Sequence, residues 1–498
     1  MNVRRSLGIS GLAEIATFLF SLLSAIVVSR LLRPDEIGVF SVAVSVIAFA
    51  HILREFGVGQ YLVQLHEVTR RHLRAIFTVM LLISWSMAAL LFILKDPLAA
   101  FYAHAGIAQV LALLAINFVV LPFGSPILAL LKRQMEFGKV AAVSLTSTCV
   151  QVTVTITTAW AGESYLSMAW GSIAGNLTTV TLLSLLRPEY ALLLPTRKGL
   201  CEVLGFGSKS SITYIVAELG AGGPDLILGR TLGFDAVAFF SRAASLTNMV
   251  IAKFVGVFRQ VYFPALAQGV REGGNAAELY YRSTSLLVGI IAPLIAVLTL
   301  LADFLILFLF GEQWQKSASL AIVLCAAEIF RTPTLLAAPT LIACGHISAV
   351  MRCQIFIQAF FLFLLCLSIW LPLEYLVYCL ILARIYEMLV YLQALNRNFG
   401  VTLSRFWLSS WKSYFLVPFA AAGPVLLRNF TQPDQFGIPI ALFLLLSGLL
   451  GTIGLLLGIF ITQHSLQEEI YRLLPSSVRR KAGKLFKTTQ KDTKLPIL

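Results

Sequence analysis

Residues 29–45 read S-R-L-L-R-P-D-E-I-G-V-F-S-V-A-V-S, and residues 229–245 read G-R-T-L-G-F-D-A-V-A-F-F-S-R-A-A-S. At an offset of 200 the pairs Arg30/Arg230, Leu32/Leu232, Asp35/Asp235, Phe40/Phe240, Ser41/Ser241, Ala43/Ala243 and Ser45/Ser245 are identical. Unrelated segments of this length share far fewer positions, so the two stretches are copies of one element. Each copy joins two long apolar runs. A run that crosses a bilayer as a helix needs about twenty mostly apolar residues. Fourteen runs qualify: 8–32, 37–62, 75–94, 105–131, 139–161, 164–186, 205–230, 235–258, 283–310, 317–345, 350–371, 373–395, 411–428 and 438–462. The motif therefore links spans one and two, then spans seven and eight. Six spans separate the copies, and six is even, so the halves share one orientation as parallel repeats.

Composition agrees with a membrane protein. Of 498 residues, 58% are hydrophobic and 12% charged, about half the charged share of soluble domains. The runs are twice the length of a barrel strand and lack period-two alternation, which excludes a transmembrane barrel. The fold class expected is an all-α membrane protein of about fourteen helices, in two parallel six-helix bundles flanking a central cleft, with two more helices at the C-terminal end. Domain boundaries fall at 1–195, 196–400 and 401–464, followed by a basic tail at 465–498.

The net charge of +14 points to anionic lipid headgroups and a phosphate-bearing substrate. No basic stripe carries interleaved base-stacking aromatics, so nucleic acid is not an expected partner. Orientation follows from loop cations. Even-numbered loops hold eighteen Lys and Arg against six in the odd loops, and Arg4 and Arg5 add to the even side. Both termini are thus expected in the cytoplasm. The seven Cys form no C-x-x-C pair and sit mostly in apolar runs, and the six His are scattered; no disulfide, metal site or cofactor is expected. Residues 1–32 lack the cleavage site of a signal peptide and read as the first span. The seven Trp mostly fall near span ends, as an interfacial belt does.

The stretches L-L-R-P-D-E-I-G-V-F at 31–40, E-F-G-V-G-Q-Y-L-V-Q at 55–64, P-D-L-I-L-G-R-T-L-G at 224–233, V-Y-F-P-A-L at 261–266, L-F-G-E-Q-W at 309–314 and A-C-G-H at 343–346 resemble the bacterial polysaccharide transporters. These are the Wzx-type branch of the multidrug/oligosaccharidyl-lipid/polysaccharide exporter superfamily. The resemblance runs to about residue 460. It implies a V-shaped two-lobe fold in the bacterial cytoplasmic membrane, and export of polyprenyl-diphosphate-linked oligosaccharides for surface polysaccharide, in functional contact with a polymerase. Arg33, Ala238 and the adjacent Arg54–Glu55 depart from the family's pattern.

Charges within spans are costly, about 2.5–3.5 kcal/mol each on insertion scales, and so mark function by default. They are Glu14, Arg54, Glu55, Glu218, Asp225, Arg242, Lys253, Glu328, Arg331, Arg384 and Glu387. A guanidinium forks onto two phosphate oxygens, which makes Arg54, Arg242, Arg331 and Arg384 the expected diphosphate and glycan contacts, with Lys253 beside them. Glu328–Arg331 and Arg384–Glu387 also stand at i,i+3, where helix neighbours pair, and that reading has equal weight. Uphill export needs coupling; no Walker lysine motif is present, so a proton or sodium ion is expected at Glu55, Glu218 or Asp225. E-L-G-A-G-G-P-D at 218–225 places Gly222, Gly223 and Pro224 as a helix break. His51 reads as an interior residue. Against the flippase stand a cation or drug antiporter of the same superfamily and, lower, a polymerase or ligase. The odd loops reach only about ten residues, too short for a catalytic platform.

Overall fold

The computed structural model describes residues 3–55, 69–190, 193–196, 200, 218, 220, 222–367, 373–431 and 439–473. The motif at 56–64, most of the expected span 205–230, Cys201 and the tail from 474 lie outside the described residues, as do the side chains of Glu55 and Lys253. Among the described residues the chain is helical. Inside lipid a helix pairs its own backbone donors and acceptors, so an apolar run of this length has no cheaper form. Among the described residues eleven helical segments are long and apolar enough to span a membrane. Two further helices, Phe234–Arg271 and Leu403–Thr431, cover the expected spans 235–258 and 411–428 without joining those eleven.

The chain divides into two compact units, Met1–Ala238 and Phe239–Leu498, so the expected boundary at 195/196 falls inside the first. The first unit contains α1 Val3–Leu31, α2 Pro34–Glu55, α3 Arg70–Phe101, α4 Ala105–Val120, α5 Ser125–Arg133, α6 Phe137–Trp160, α7 Leu166–Leu186 and α8, residues 222–231. The pairs α1–α6, α3–α4 and α6–α7 carry its packing. On α7 the Gly171-xxx-Gly175 spacing brings α6 close: a Cβ at Gly171 would overlap Thr155, and one at Gly175 would lie 2.9 Å from Gln151.

The repeated motif turns out to be packing chemistry. Pro34 opens α2, and Asp35 and Glu36 stand in its first turn, where acids suit the helix dipole. Glu36 accepts from the Arg33 N–H at 2.8 Å and from the Ser164 hydroxyl at 2.6 Å, tying the turn to the α6–α7 corner. Gly38 lies against the backbone of Phe234, where a Cβ would overlap the carbonyl oxygen. A Cβ at Gly229 would come within 2.6 Å of Val42. The Tyr102 hydroxyl donates to the Leu226 carbonyl at 3.2 Å. Within the first unit, then, the first copy of the motif packs on the start of the second.

On the loop side Glu136 bridges Lys139 at 2.7 Å and Arg187 at 2.8 Å, and the Lys139 hydrogen bond holds its carboxyl below the usual range. Leu193 is buried among Leu73, Ile76, Phe77 and Leu130, while Arg74 donates to the Leu194 carbonyl at 2.8 Å. The chain leaving α7 is thereby strapped under α3.

The second unit holds most of α9 Phe234–Arg271, then α10 Ala276–Phe310, α11 Gln315–Ala327, α12 Ala337–Ala343, α13 Ile347–Leu367, α14 Leu373–Phe399, α15 Leu403–Thr431, α16 Ile440–Thr462 and α17 Leu466–Leu473. The last two long helices pack on α10 and on each other. Arg428 fastens α15 to α10, reaching Asp303 at 2.9 Å and the Leu300 carbonyl at 2.7 Å. Gly454 and Gly458 of α16 admit Phe419 of α15. The expected continuous span 317–345 is divided. A 3-10 run, Glu328–Thr334, separates α11 from α12, and Pro333 within it has no N–H to continue an α-helical ladder.

His464 closes the corner after α16. Its Nδ1 accepts from the Leu466 N–H at 3.1 Å, so Nε2 carries the proton and donates to the Ser413 hydroxyl at 2.9 Å. Ser413 passes its own proton to the Ser285 carbonyl at 2.8 Å. A protonated ring would set two N–H groups against each other at Leu466. Burial, then the Lys412 charge, push His464 down to about 4. Below pH ~6.5 the unfolded chain binds a proton that the folded chain refuses, so stability falls as pH drops from ~6.5 toward ~4. Thermal unfolding in detergent is expected to follow that course, and to lose this pH component in His464→Gln. Gly38→Ala is expected to cost about 1–3 kcal/mol by overpacking, while Arg33→Ala, on an exposed side chain, changes the unfolding temperature little.

Candidate functional site: a buried ring of four charges

Glu328 and Arg331 stand on the 3-10 run, and Arg384 and Glu387 one turn apart on α14. The structure closes them into a ring. Glu328 meets Arg331 at 3.5 Å and Arg384 at 2.9 Å; Glu387 meets Arg331 at 3.2 Å and Arg384 at 2.8 Å. Each carboxylate thus serves both arginines. The pairing expected within each helix is present, and two contacts between the helices complete it. The glutamate side chains are 5% and 11% exposed, the arginines 37% and 34%. The acids are the buried floor, and the guanidiniums are half open. Arg331 keeps Nη2 and Arg384 keeps Nε outside the ion pairs.

Hydroxyls fix the run that carries Arg331. Thr332 donates to the Ile329 carbonyl at 2.7 Å and receives the Tyr414 hydroxyl at 2.7 Å, and Tyr280 donates to the Pro333 carbonyl. Proline and a tight helical form leave carbonyls without helical partners; the Thr332 hydroxyl serves that of Ile329 and the Tyr280 phenol that of Pro333, while Tyr414 holds Thr332.

The other expected site residues lie apart from the ring. Arg54 is buried at the last turn of α2, one turn beyond His51, whose ring packs on Phe118. Glu218 lines a cavity of about 330 Å³ in the first unit, with His51, Asn117, Ser172 and an apolar wall that includes Phe40 and Ile52. Asp225 accepts from the Ser45 hydroxyl at 3.1 Å. Gly222, Gly223 and Pro224 are helical, within 222–231, where an interruption was expected; Gly222 instead fits against Ser45, 3.4 Å from where its Cβ would stand. Arg242 stacks on Phe310 and Trp314. Glu14 is exposed on α1. Trp314 is fully buried, unlike the exposed Trp160, Trp407 and Trp411 of the interfacial pattern. Among the described residues no cluster of His, Cys, Asp and Glu could hold a metal ion.

The fold is one shared with membrane transporters. The structure aligns with the lipid II flippase MurJ in its inward closed conformation at a TM-score of 0.71, with 11% identity, over 92% of this chain and 99% of that one. An inward-facing multidrug resistance MATE family transporter of the MOP superfamily aligns at 0.61, with 15% identity, over 76% and 94%. Residues 27–319 match the family described as polysaccharide biosynthesis protein, and the chain belongs to it. The lipopolysaccharide biosynthesis protein WzxC of Escherichia coli K12 is 23% identical over 65% of this chain and 66% of its own length. The succinoglycan biosynthesis transport protein ExoT of Rhizobium meliloti is 26% identical over 67% of each. For the teichuronic acid biosynthesis protein TuaB of Bacillus subtilis the figures are 22%, 57% and 59%. The chain thus spans less than two thirds of TuaB and of WzxC.

Breaking a buried ion pair by removing one partner costs about 3–5 kcal/mol, less where solvent reaches the charge. Arg331→Gln/Arg384→Gln strands two buried carboxylates and is expected to abolish a monodisperse folded peak in size-exclusion chromatography. Adding Glu328→Gln and Glu387→Gln removes the stranded charge and is expected to restore the peak.

Proposed function

We propose that this chain moves lipid-linked oligosaccharides across the bacterial cytoplasmic membrane for surface polysaccharide synthesis. The observation that carries the reading is the ring: two arginines kept charged inside an apolar bundle, each with an open face. Neutral as a whole, the ring is stable without a ligand. The diphosphate of a polyprenyl carrier would find on Arg331 and Arg384 N–H donors that the carboxylates leave unused, and charge-assisted bonds of that kind are the strong ones. Membership of the polysaccharide biosynthesis family supports the substrate class.

In this reading the chain has fourteen spans, arranged as two six-helix repeats about a V-shaped cleft plus two C-terminal helices, with both termini in the cytoplasm. Rocking of the repeats exposes the cleft to each side in turn. Arg54 and Lys253 extend the phosphate path, and a proton or sodium ion at Glu55, Glu218 or Asp225 drives it. Anionic lipids hold the basic tail, and the product passes to a polymerase. A second reading, export of an organic cation, draws support from Glu218 facing a largely apolar cavity in the first unit.

The deciding experiment uses a strain lacking this protein. Its lipid-linked oligosaccharides are labelled on intact spheroplasts with an impermeant glycan reagent. Accumulation on the inner face, reversed by the wild-type chain, is the expected result; unchanged lipids would turn the assignment to the cation exporter. The variant with all four ring charges neutralised is expected to fold and to leave the oligosaccharides on the inner face. Full complementation by it would take the ring out of the transport path.

A further inference from the structure

Glutamine is costly inside a membrane helix, because lipid serves neither its two donors nor its carbonyl. α13 carries two, Gln354 and Gln358, one turn apart and both half-buried. Exposed Phe356, Phe363 and Leu367 mark the lipid face of this helix. At about 100° per residue both glutamines stand about 160° from Phe356, on the far side.

α14 lies there. The Gln354 amide donates to the Tyr391 hydroxyl at 3.2 Å, and the Gln358 amide donates to Oε1 of Gln354 at 3.4 Å. Tyr391 stands one turn beyond Glu387 and two beyond Arg384, on the face of α14 that bears the ring, while exposed Tyr378, Leu382 and Leu389 point the other way. Phe360 meets Tyr386 at a ring distance of 4.1 Å. These contacts fix the antiparallel register of α13 on α14 and set Gln358 level with Glu387. The amides thus stand at the depth of the four-charge ring.

Gln354 has both ends of its amide engaged and is held by Tyr391, which is buried. In Gln358 one N–H reaches Gln354 at the long end of hydrogen-bond distance, and the carbonyl oxygen meets no donor among the described residues. A fixed amide with a carbonyl and an N–H to spare is the complement of two neighbouring hydroxyls, one donating and one accepting. A diphosphate offers oxygens that only accept, and the carbonyl would repel them. Its place is on the guanidiniums.

We propose that Gln354 and Gln358 form a sugar subsite beside the ring, in which Gln358 reads adjacent hydroxyls on the glycan unit nearest the diphosphate. The inference rests on the transport reading above and adds the neutral half of recognition: the ring holds the linkage, and the amides distinguish the sugar. A site built to bond a hydroxyl discriminates strongly against a ligand that lacks it, because its own polar groups are then left unpaired.

Binding tests this without transport. Purified full-length protein in detergent is titrated calorimetrically with farnesyl methyl diphosphate and with its glucosyl and galactosyl counterparts, three diesters of equal charge. Wild type is expected to bind at least one sugar-bearing diester about tenfold more tightly than the methyl one. Gln358→Leu is expected to erase that preference while holding the affinity for the methyl diester within about twofold, and Gln354→Leu to weaken the preference by releasing Gln358. Leucine suits an apolar helix, so both variants fold. A sugar preference that survives Gln358→Leu overturns the subsite. So does a wild type that binds all three diesters alike, and in that case the ring keeps its ligand. Binding of none of the three overturns the subsite as well. The deletion strain then decides the transport reading separately: oligosaccharides that do not accumulate on the inner face remove it.

Discussion

A charge buried in an apolar helical bundle must bring its compensation with it. The polar side chains of this protein are arranged around that constraint. Glu328 and Glu387 are sealed into the second unit, and each takes two guanidiniums. Asp303 takes Arg428, and Asp225 takes the Ser45 hydroxyl. Neutral polar groups follow the same rule: Ser285, Ser413 and His464 form a chain in which every proton has one assigned acceptor. Removing one member of such a set leaves its partner stranded, so the polar residues fix the register of helices that apolar packing alone would let slide.

Glycine sets the other limit. With lipid outside and side chains inside, little but shape holds apolar helices together. Gly171, Gly175, Gly454 and Gly458 let neighbouring helices approach to backbone distance. Gly38 does the same for the motif, which explains why a stretch so visible in the sequence carries no chemistry of its own. Glu36 bonds beyond the turn, to the Ser164 hydroxyl.

Much of this was legible in the sequence, because the bilayer imposes a length and a polarity on each span. The helical class and the in-span charges follow from that. What sequence could not supply was partnership across helices. The i,i+3 spacing showed that Glu328 could meet Arg331, and Arg384 could meet Glu387; that each acid serves both arginines depends on where the 3-10 run lies against α14. Pro224 read as a break, yet a proline removes one donor and the helix at 222–231 carries on past it. Pro333, with the same local signal, does sit in altered geometry: the Thr332 hydroxyl takes the Ile329 carbonyl that its missing N–H leaves free, and Tyr280 donates to its own carbonyl.

That altered geometry has a mechanical side. A 3-10 helix rises about 2.0 Å per residue against 1.5 Å for an α-helix, and turns about 120° per residue against 100°. Over the seven residues Glu328–Thr334 the difference amounts to about 3.5 Å of length and about 140° of winding. The run is a coupling between two shafts, α11 and α12, and two phenol hydroxyls pin it. Releasing the pins and rewinding the run would draw the shafts together and swing Arg331 round the axis, out of line with Glu387. The ring and the length of this span are geared to each other.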